Sequence, residues 1–313
     1  MEDYVMIVAI DHGNYAIKTP NFTFVAGYRE DTETPPVPEG ILQYNGMYYC
    51  LTGKRVTQQI NKTTNEEYFI LTIFAIAKEL ERAGKNDTTV SIDLAVGLPP
   101  EHYGAQKENF VRYLKRSGTI IFTYNNKAYS IKIHSVMVFP QAFSAAVMKS
   151  DKVLSMSRVF IVDIGGFTTD VLMLNNGKPD MEYCRSLSNG IIHLYNDLKQ
   201  KINVRYNMLV DDEMITDVLL GKTEDILLPD SVIGMIREDA KKFTQNIIDK
   251  LKEYGMDLRV VRTMFIGGGS LLLKEFILSI PYLQKSIFVE TQNANAIGYQ
   301  MLATEMLKSK KEG

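Results

Sequence analysis

Two segments of this chain repeat one plan. Val5 to Ile10 is an unbroken apolar run ending in Asp11-His12-Gly13-Asn14, and Val159 to Val162 ends in Asp163-Ile164-Gly165-Gly166. Each run predicts a buried strand and each Asp-x-Gly a tight turn. A return strand follows each turn, at Ile17 and at Thr168 to Leu174. The two units begin about 150 residues apart. A duplication of this kind points to two related α/β lobes with a cleft between them.

The remaining pattern fills in those lobes. Asn45-Gly46 between Ile41–Tyr44 and Met47–Leu51 predicts a hairpin, as do Asn125-Asn126 and Asn175-Asn176-Gly177. Asp31 to Gly40, with prolines at 35, 36 and 38, reads as an exposed loop. Helices are expected over Glu66–Ala83, Glu101–Arg116, Asn189–Lys201, Asp212–Leu220, Ser231–Tyr254 and Ala294–Lys308. Strands are expected at Val90–Val96, Ser135–Phe139 and Val260–Ile266, and Pro140-Gln141 opens a small-residue helix with Ala142, Ala145 and Ala146. The last of the long strands delivers Gly267-Gly268-Gly269-Ser270.

Composition excludes several classes. With 313 residues the chain is long enough for two domains. A net charge of −2 gives no global field toward nucleic acid or anionic lipid. Cys50 and Cys184 stand in no metal or redox spacing and read as reduced thiols of a cytosolic protein. No two of the four histidines form H-x-x-x-H, which argues against a zinc enzyme. Met1-Glu2-Asp3-Tyr4 is acidic and leads straight into a strand, unlike a signal peptide. No apolar run approaches the roughly 20 residues that span a bilayer. Cytoplasmic localisation is expected.

The turns carry the chemistry. A glycine after a strand lets backbone N–H groups approach an anion that a Cβ would keep away. Asn14 can add a side-chain donor, and Lys18 on the return strand can neutralise a phosphate. The second turn supplies Gly165 and Gly166 with the hydroxyls of Thr168 and Thr169. If Asp11 and Asp163 face one another they repel, unless a cation such as Mg2+ lies between them. Gly267-Gly268-Gly269-Ser270 lets a flat nucleoside lie on bare backbone.

In these five segments the sequence resembles the actin and DnaK-type ATPase superfamily, and most of all the ParM/StbA-type plasmid-segregation actins. Asp11 to Lys18 is similar to the first phosphate motif and Asp163 to Asp170 to the second. Pro140-Gln141-Ala142 and Ala294-Asn295-Ala296-Ile297-Gly298 are similar to the two connecting motifs, and Gly267 to Ser270 to the adenosine motif. The short length and Gly97-Leu98-Pro99 before a charged helix favour the plasmid group.

The resemblance implies an actin-like, ribonuclease H-like duplicated fold with a nucleotide cleft between the lobes. Domain I would take residues 1–150 and 290–313, with a small subdomain at about 28–85, and domain II residues 151–289. It implies a Mg2+-dependent ATPase or GTPase. Asp11 and Asp163 would organise the metal and its waters. Asn14, Lys18 and the loop of Gly13, Gly165, Gly166, Thr168 and Thr169 would grip phosphates. Gln141 would orient the attacking water, a neutral amide being too weak a base to take its proton. Gly190 is expected near the ribose or as a plain helix start. Glu213 is either a ribose or base contact or an exposed helix carboxylate, and Lys241 and Lys242 either flank the base or, the favoured reading, form a solvated helix face. Function would be a head-to-tail filament that assembles on nucleotide and falls apart after hydrolysis. It would move plasmid DNA through a ParR-like adaptor, with no direct nucleic-acid or membrane contact. The alternatives are a small-molecule kinase of the same superfamily and an MreB-like cell-shape filament.

Overall fold

The computed structural model describes residues 5–312 except 38, 58, 60, 86–88, 149–152 and 154. Met1–Tyr4, Pro38 and the expected domain junction at 150 therefore lie outside the described residues. Two compact units divide the chain, residues 1–148 with 293–313 and residues 149–292.

Among the described residues, the first unit is built on nine strands. They are β1 (Val5–His12), β2 (Ala16–Lys18), β3 (Thr23–Val25), β4 (Tyr28–Asp31), β5 (Ile41–Tyr44), β6 (Met47–Leu51), β7 (Thr89–Leu98), β8 (Ile120–Tyr124) and β9 (Lys127–Pro140). Their order is β3-β2-β1-β7-β9-β8-β5-β6-β4. The central β1, β7 and β9 are parallel, so both faces of that region need cover. Period two sorts the side chains. Val8 and Ile10 join the main core with the helix Glu67–Arg82, whereas Ala9, Ala95 and Phe139 pack on Tyr299 and Ala303 of the helix Ala294–Glu312. The small residues on that second face let the helix approach closely, and the Tyr299 ring stacks on Phe139 at 6.1 Å.

The second unit carries β10 (Arg158–Ile164), β11 (Thr169–Asn175), β12 (Lys178–Leu187), β13 (Arg262–Ile266) and β14 (Ile287–Phe288), ordered β12-β11-β10-β13-β14. Phe160, Val162 and Ile164 of β10 pack on the helices Ile191–Tyr206, Asp212–Leu219 and Asp230–Glu253. The Asp211 carboxylate accepts from Met214 N at 2.8 Å and so fixes the start of the second of these.

Local chemistry accounts for the turns. Asn45-Gly46, Asn125-Asn126 and Asn176-Gly177 all have positive φ at both central positions, the mirror-type turn that matches strand twist. Two expectations needed revision. Ser135–Phe139 is no separate strand; it is the end of the 14-residue β9. His134 is an extra residue there, since Ile92 pairs with Ile133 but Asp93 pairs with Ser135. The bulge breaks the alternation that marks a continuous strand. Buried Asp93 fills it, accepting from His134 Nδ1 at 2.8 Å and from the Ser135 hydroxyl. The expected helix from Glu101 is a turn of 3-10 helix at Pro100–His102 followed by Tyr103–Leu114. Strand β14 and the helices Gly267–Leu272 and Lys274–Leu278 are too short to leave a periodic signal.

Candidate functional site

In the first unit the acidic loop begins inside β1. Asp11 and His12 still pair with Lys18 and Ile17 of β2, so Asp11 and Lys18 are direct cross-strand neighbours. Gly13 N donates to the Asp11 carbonyl at 3.1 Å and closes the turn. Asp11 is buried, and its Oδ1 accepts from Gln141 Nε2 at 2.8 Å. That bond fixes the amide. An ionised carboxylate can only accept, so the NH2 end faces Asp11 and Oε1 is left to accept from a water. Asn14 is committed at one end, because its Oδ1 accepts from the Tyr68 hydroxyl at 2.7 Å. Its NH2 end is the one suited to an anion.

Gln141 is held by an unusual backbone. Gln141 N donates to Leu98 O at 2.9 Å, and Phe143 N donates back to Gln141 O at 2.6 Å across Ala142, whose φ is +61° and ψ −56°. This is the rarer, strained form of γ-turn, at a non-glycine residue. Asn295 supports it, its Oδ1 accepting from the buried Ala142 N at 3.0 Å. Three residues on in the same helix, Gly298 passes so near the chain that a Cβ would lie 1.9 Å from the Ser144 carbonyl oxygen. The two segments expected as connectors are therefore clamped together within one unit.

Sequence reading missed the support behind the first loop. His12 Nε2 lies 2.8 Å from the Thr72 hydroxyl, which itself donates to the Tyr68 carbonyl at 2.6 Å. Thr72 has spent its proton, so His12 is the donor in their bond. Complete burial first, and the Lys62 ammonium second, push the His12 pKa down to about 3, the Ile10 carbonyl opposing without reversing this. The ring is neutral at physiological pH. Lys62, also buried, donates to the His12 carbonyl and stands 5.4 Å from the Tyr68 ring centre. A polar residue between Asp and Gly was the only available signal; Lys62 gave none.

In the second unit three distant segments meet. Asp163 pairs with Asp170 across β10 and β11, and with Ile266 of β13. Gly267, at φ +85°, follows directly, and a Cβ there would lie 2.2 Å from Asp163 Oδ1 and 2.8 Å from Ile164 O. Gly269 abuts the Ile164 carbonyl in the same way. Gly268 differs: its Cβ would find only Gln292 Oε1, at 3.8 Å. Ser270 is fully buried, and its hydroxyl has no hydrogen-bond partner among the described residues.

Gly190 belongs to this assembly. Its Cβ would fall 2.3 Å from the Gly166 carbonyl oxygen, so the helix start rests directly on the second acidic loop. Gly190 N, Ile191 N and Ile192 N donate to the carbonyls of Phe167, Gly165 and Gly166 at 2.9, 3.1 and 2.8 Å. Gly165 N donates to Thr168 O at 2.8 Å. The two threonine hydroxyls are engaged inside the fold, Thr168 with Asp170 at 2.9 Å and Thr169 with the Asn189 carbonyl at 2.7 Å. As placed, they brace the loop. Asn189 also accepts from Lys250 at 2.7 Å, a support that sequence reading missed.

Glu213 stands apart, exposed on the first turn of its helix, and no described contact ties it to the glycine segments. Lys241 is exposed, and Lys242 pairs with Glu238 at 2.7 Å. A groove of about 610 Å³ runs beside Lys242, between Asp197–Arg205 and Met235–Lys242. Lys242 lines it, but none of the candidate aspartates, glycines, threonines or Gln141 does. Among the described residues no three His, Cys, Asp or Glu side chains form a metal cage. No helix among them is long and apolar enough to cross a membrane.

Comparison with known proteins adds an independent line. Residues 44–143 match the family described as Actin like proteins N terminal domain, and residues 161–278 match Archaeal actin homologue MreB-like, C-terminal. The two matches together take in more than half of the chain. Among solved structures, a 15-stranded ParM filament from Clostridium botulinum is 22% identical with a TM-score of 0.76, covering 97% of this chain and 100% of its own. The archaeal actin homolog Ta0583 in complex with ADP is 18% identical with a TM-score of 0.72, covering 96% and 99%. Bacillus thuringiensis ParM with ATP is 14% identical with a TM-score of 0.68, covering 96% and 98%. No curated protein matches the chain in sequence.

Proposed function

From the premise that this chain is an actin-like protein with that family's two-lobed α/β fold, we propose that it is a cytoplasmic, Mg2+-dependent ATPase or GTPase. It assembles head to tail with nucleotide bound and disassembles after hydrolysis. One observation carries this reading: Gly267 lies against Asp163, which brings the Gly-Gly-Gly-Ser turn onto the second acidic loop. The residues suit a nucleotide. Gly268 leaves bare backbone where a Cβ would meet nothing close, and the buried Ser270 hydroxyl is an unused donor. Both half-sites would serve one nucleoside triphosphate.

Asp11 and Asp163 would hold Mg2+ through its waters, a mode that needs few protein ligands. The metal would supply neutralisation of phosphate charge. Lys18 and the donor end of Asn14 would add to it. Gln141 would orient the attacking water, its Oε1 accepting a hydrogen bond from that water while its Nε2 stays anchored on Asp11. Solved relatives support self-assembly and nucleotide binding, one being a ParM filament and others complexes with ADP and ATP. Segregation of plasmid DNA through a ParR-like adaptor is the role we assign.

The test is phosphate release and pelleting by the purified protein with Mg2+ and ATP, GTP or a non-hydrolysable analogue. The expected result is polymer with the analogue and transient polymer with ATP or GTP. Asp163→Asn should lose both activities. Hydrolysis unaffected by that change would refute the site. The MreB-like match over 161–278 favours a second reading, a cell-shape filament on membrane. Co-flotation of the polymer with anionic vesicles would select it.

A further inference from the structure

The second unit displays apolar side chains at two places where a monomer gains nothing from them. Leu209 is 87% and Leu227 97% exposed, with Val204 at 81% and Leu220 half exposed. Disorder does not explain this. Met208 and Val210 flank Leu209, Ile226 and Leu228 flank Leu227, and all four flanking residues pack on the unit's core. Each leucine is held outward by its anchored neighbours. The surrounding segment is strongly acidic. Residues 207–230 hold seven carboxylates against Lys222 alone, a local charge of −6 in a chain of −2, so the remaining residues carry +4.

The second place is the turn after Glu253. Tyr254 and Tyr282 are about half exposed and Val260 78%. Lys252, Arg259, Arg262 and Lys285 are exposed beside them, with Asp257 neutralised by Arg259 at 2.8 Å. Tyrosine and arginine are enriched at protein contacts, and the two lysines add positive charge.

The helix Asp230–Glu253 joins the two places. The acidic segment leads into its N-terminus and the tyrosine turn follows its C-terminus. With 24 residues the helix separates them by about 36 Å within one compact unit. We infer that these are the two halves of one heterologous contact, and that the acidic leucine end of one copy docks on the tyrosine and arginine end of the next. Two different patches at opposite ends of a rigid body cannot close a dimer, so the contact propagates. The inference rests on the filament reading above and assigns it a surface.

Leu209→Asp/Leu227→Asp blocks one end and Tyr254→Asp/Val260→Asp the other. All four side chains are exposed, so the fold and nucleotide binding should be kept. Each variant should raise the concentration needed for pelleting at least tenfold, with fluorescent-ATP affinity within twofold of wild type. Cross-linking supplies the second measurement, because the native Cys50 and Cys184 are both buried. Leu227→Cys/Val260→Cys with a short bis-maleimide should give a ladder of covalent oligomers, and either single cysteine none. Wild-type pelleting by the blocked variants would overturn the contact, as would dimers from Leu227→Cys alone. If the wild type fails to pellet with ATP, GTP or the non-hydrolysable analogue, the filament reading falls and the contact with it.

Discussion

Adjacent glycines should separate the fold from the site. Gly267→Ala places a side chain at φ +85°, which costs an L residue about 1–2 kcal/mol. The new Cβ would also stand 2.2 Å from Asp163 Oδ1 and 2.8 Å from the Ile164 carbonyl oxygen. The backbone contact cannot rotate away, and overpacking of this kind costs roughly 1–3 kcal/mol. The total of about 2–5 kcal/mol should lower the melting temperature by about 5–15 °C. Gly268→Ala meets nothing nearer than 3.8 Å and lies in a helix, so it should leave stability unchanged or raise it by about 0.4–1 kcal/mol. If the nucleotide lies on that backbone, Gly268→Ala should nevertheless lose at least tenfold in nucleotide affinity, measured by fluorescent-analogue titration beside thermal melts. A Gly267→Ala protein that melts with the wild type would refute the packing argument. A Gly268→Ala protein with wild-type affinity would refute the placement of the nucleotide.

Gln141→Ala should lower the phosphate-release rate on the order of 10²-fold with nucleotide affinity little changed; a wild-type rate would remove Gln141 from the reaction. Asn295→Ala leaves the buried Ala142 N–H without its acceptor and should cost about 1–3 kcal/mol in urea unfolding, whereas Asn295→Asp, which still accepts, should recover most of it. His12 makes stability depend on pH. Its folded pKa of about 3 lies below the ordinary 6.5, so the unfolded state binds the proton first. The contribution is complete above pH 6.5 and is lost as pH falls toward 3. Between pH 7.5 and 5 the loss is about 2 kcal/mol. The same pair of unfolding curves for His12→Gln should show a drop smaller by that amount, and an equal drop would exclude His12 as the source.

Strands, turns and glycine segments were readable because each leaves a local signature. The Val5 and Val159 runs are apolar on both faces, and Asn45-Gly46 names its own turn. Supports that act across the chain were not readable. Gly190 reads as an ordinary helix start until the Gly166 carbonyl is found where its Cβ would be. Asn295 and Ala142 are 153 positions apart, and neither residue type announces the bond between them. The hydroxyls of Thr168 and Thr169 look available in sequence because nothing local shows that Asp170 and Asn189 engage them. The bulge at His134 hid the length of β9 by shifting its alternation. Burial patterns are written locally, whereas hydrogen-bond partners are chosen by topology.

The bond from Ala142 to Asn295 also sets an order of events during synthesis. The acceptor that steadies the Gln141 turn is encoded after all of residues 149–292, and the helix that covers β1 and β7 comes with it. A ribosome that has translated only the first half of the message holds a sheet with one face uncovered. Domains generally fold as they emerge, but here the earlier one must wait for residues 293–313, which follow the whole of the second unit. Premature termination anywhere before codon 293 would therefore disable the half of the protein made first.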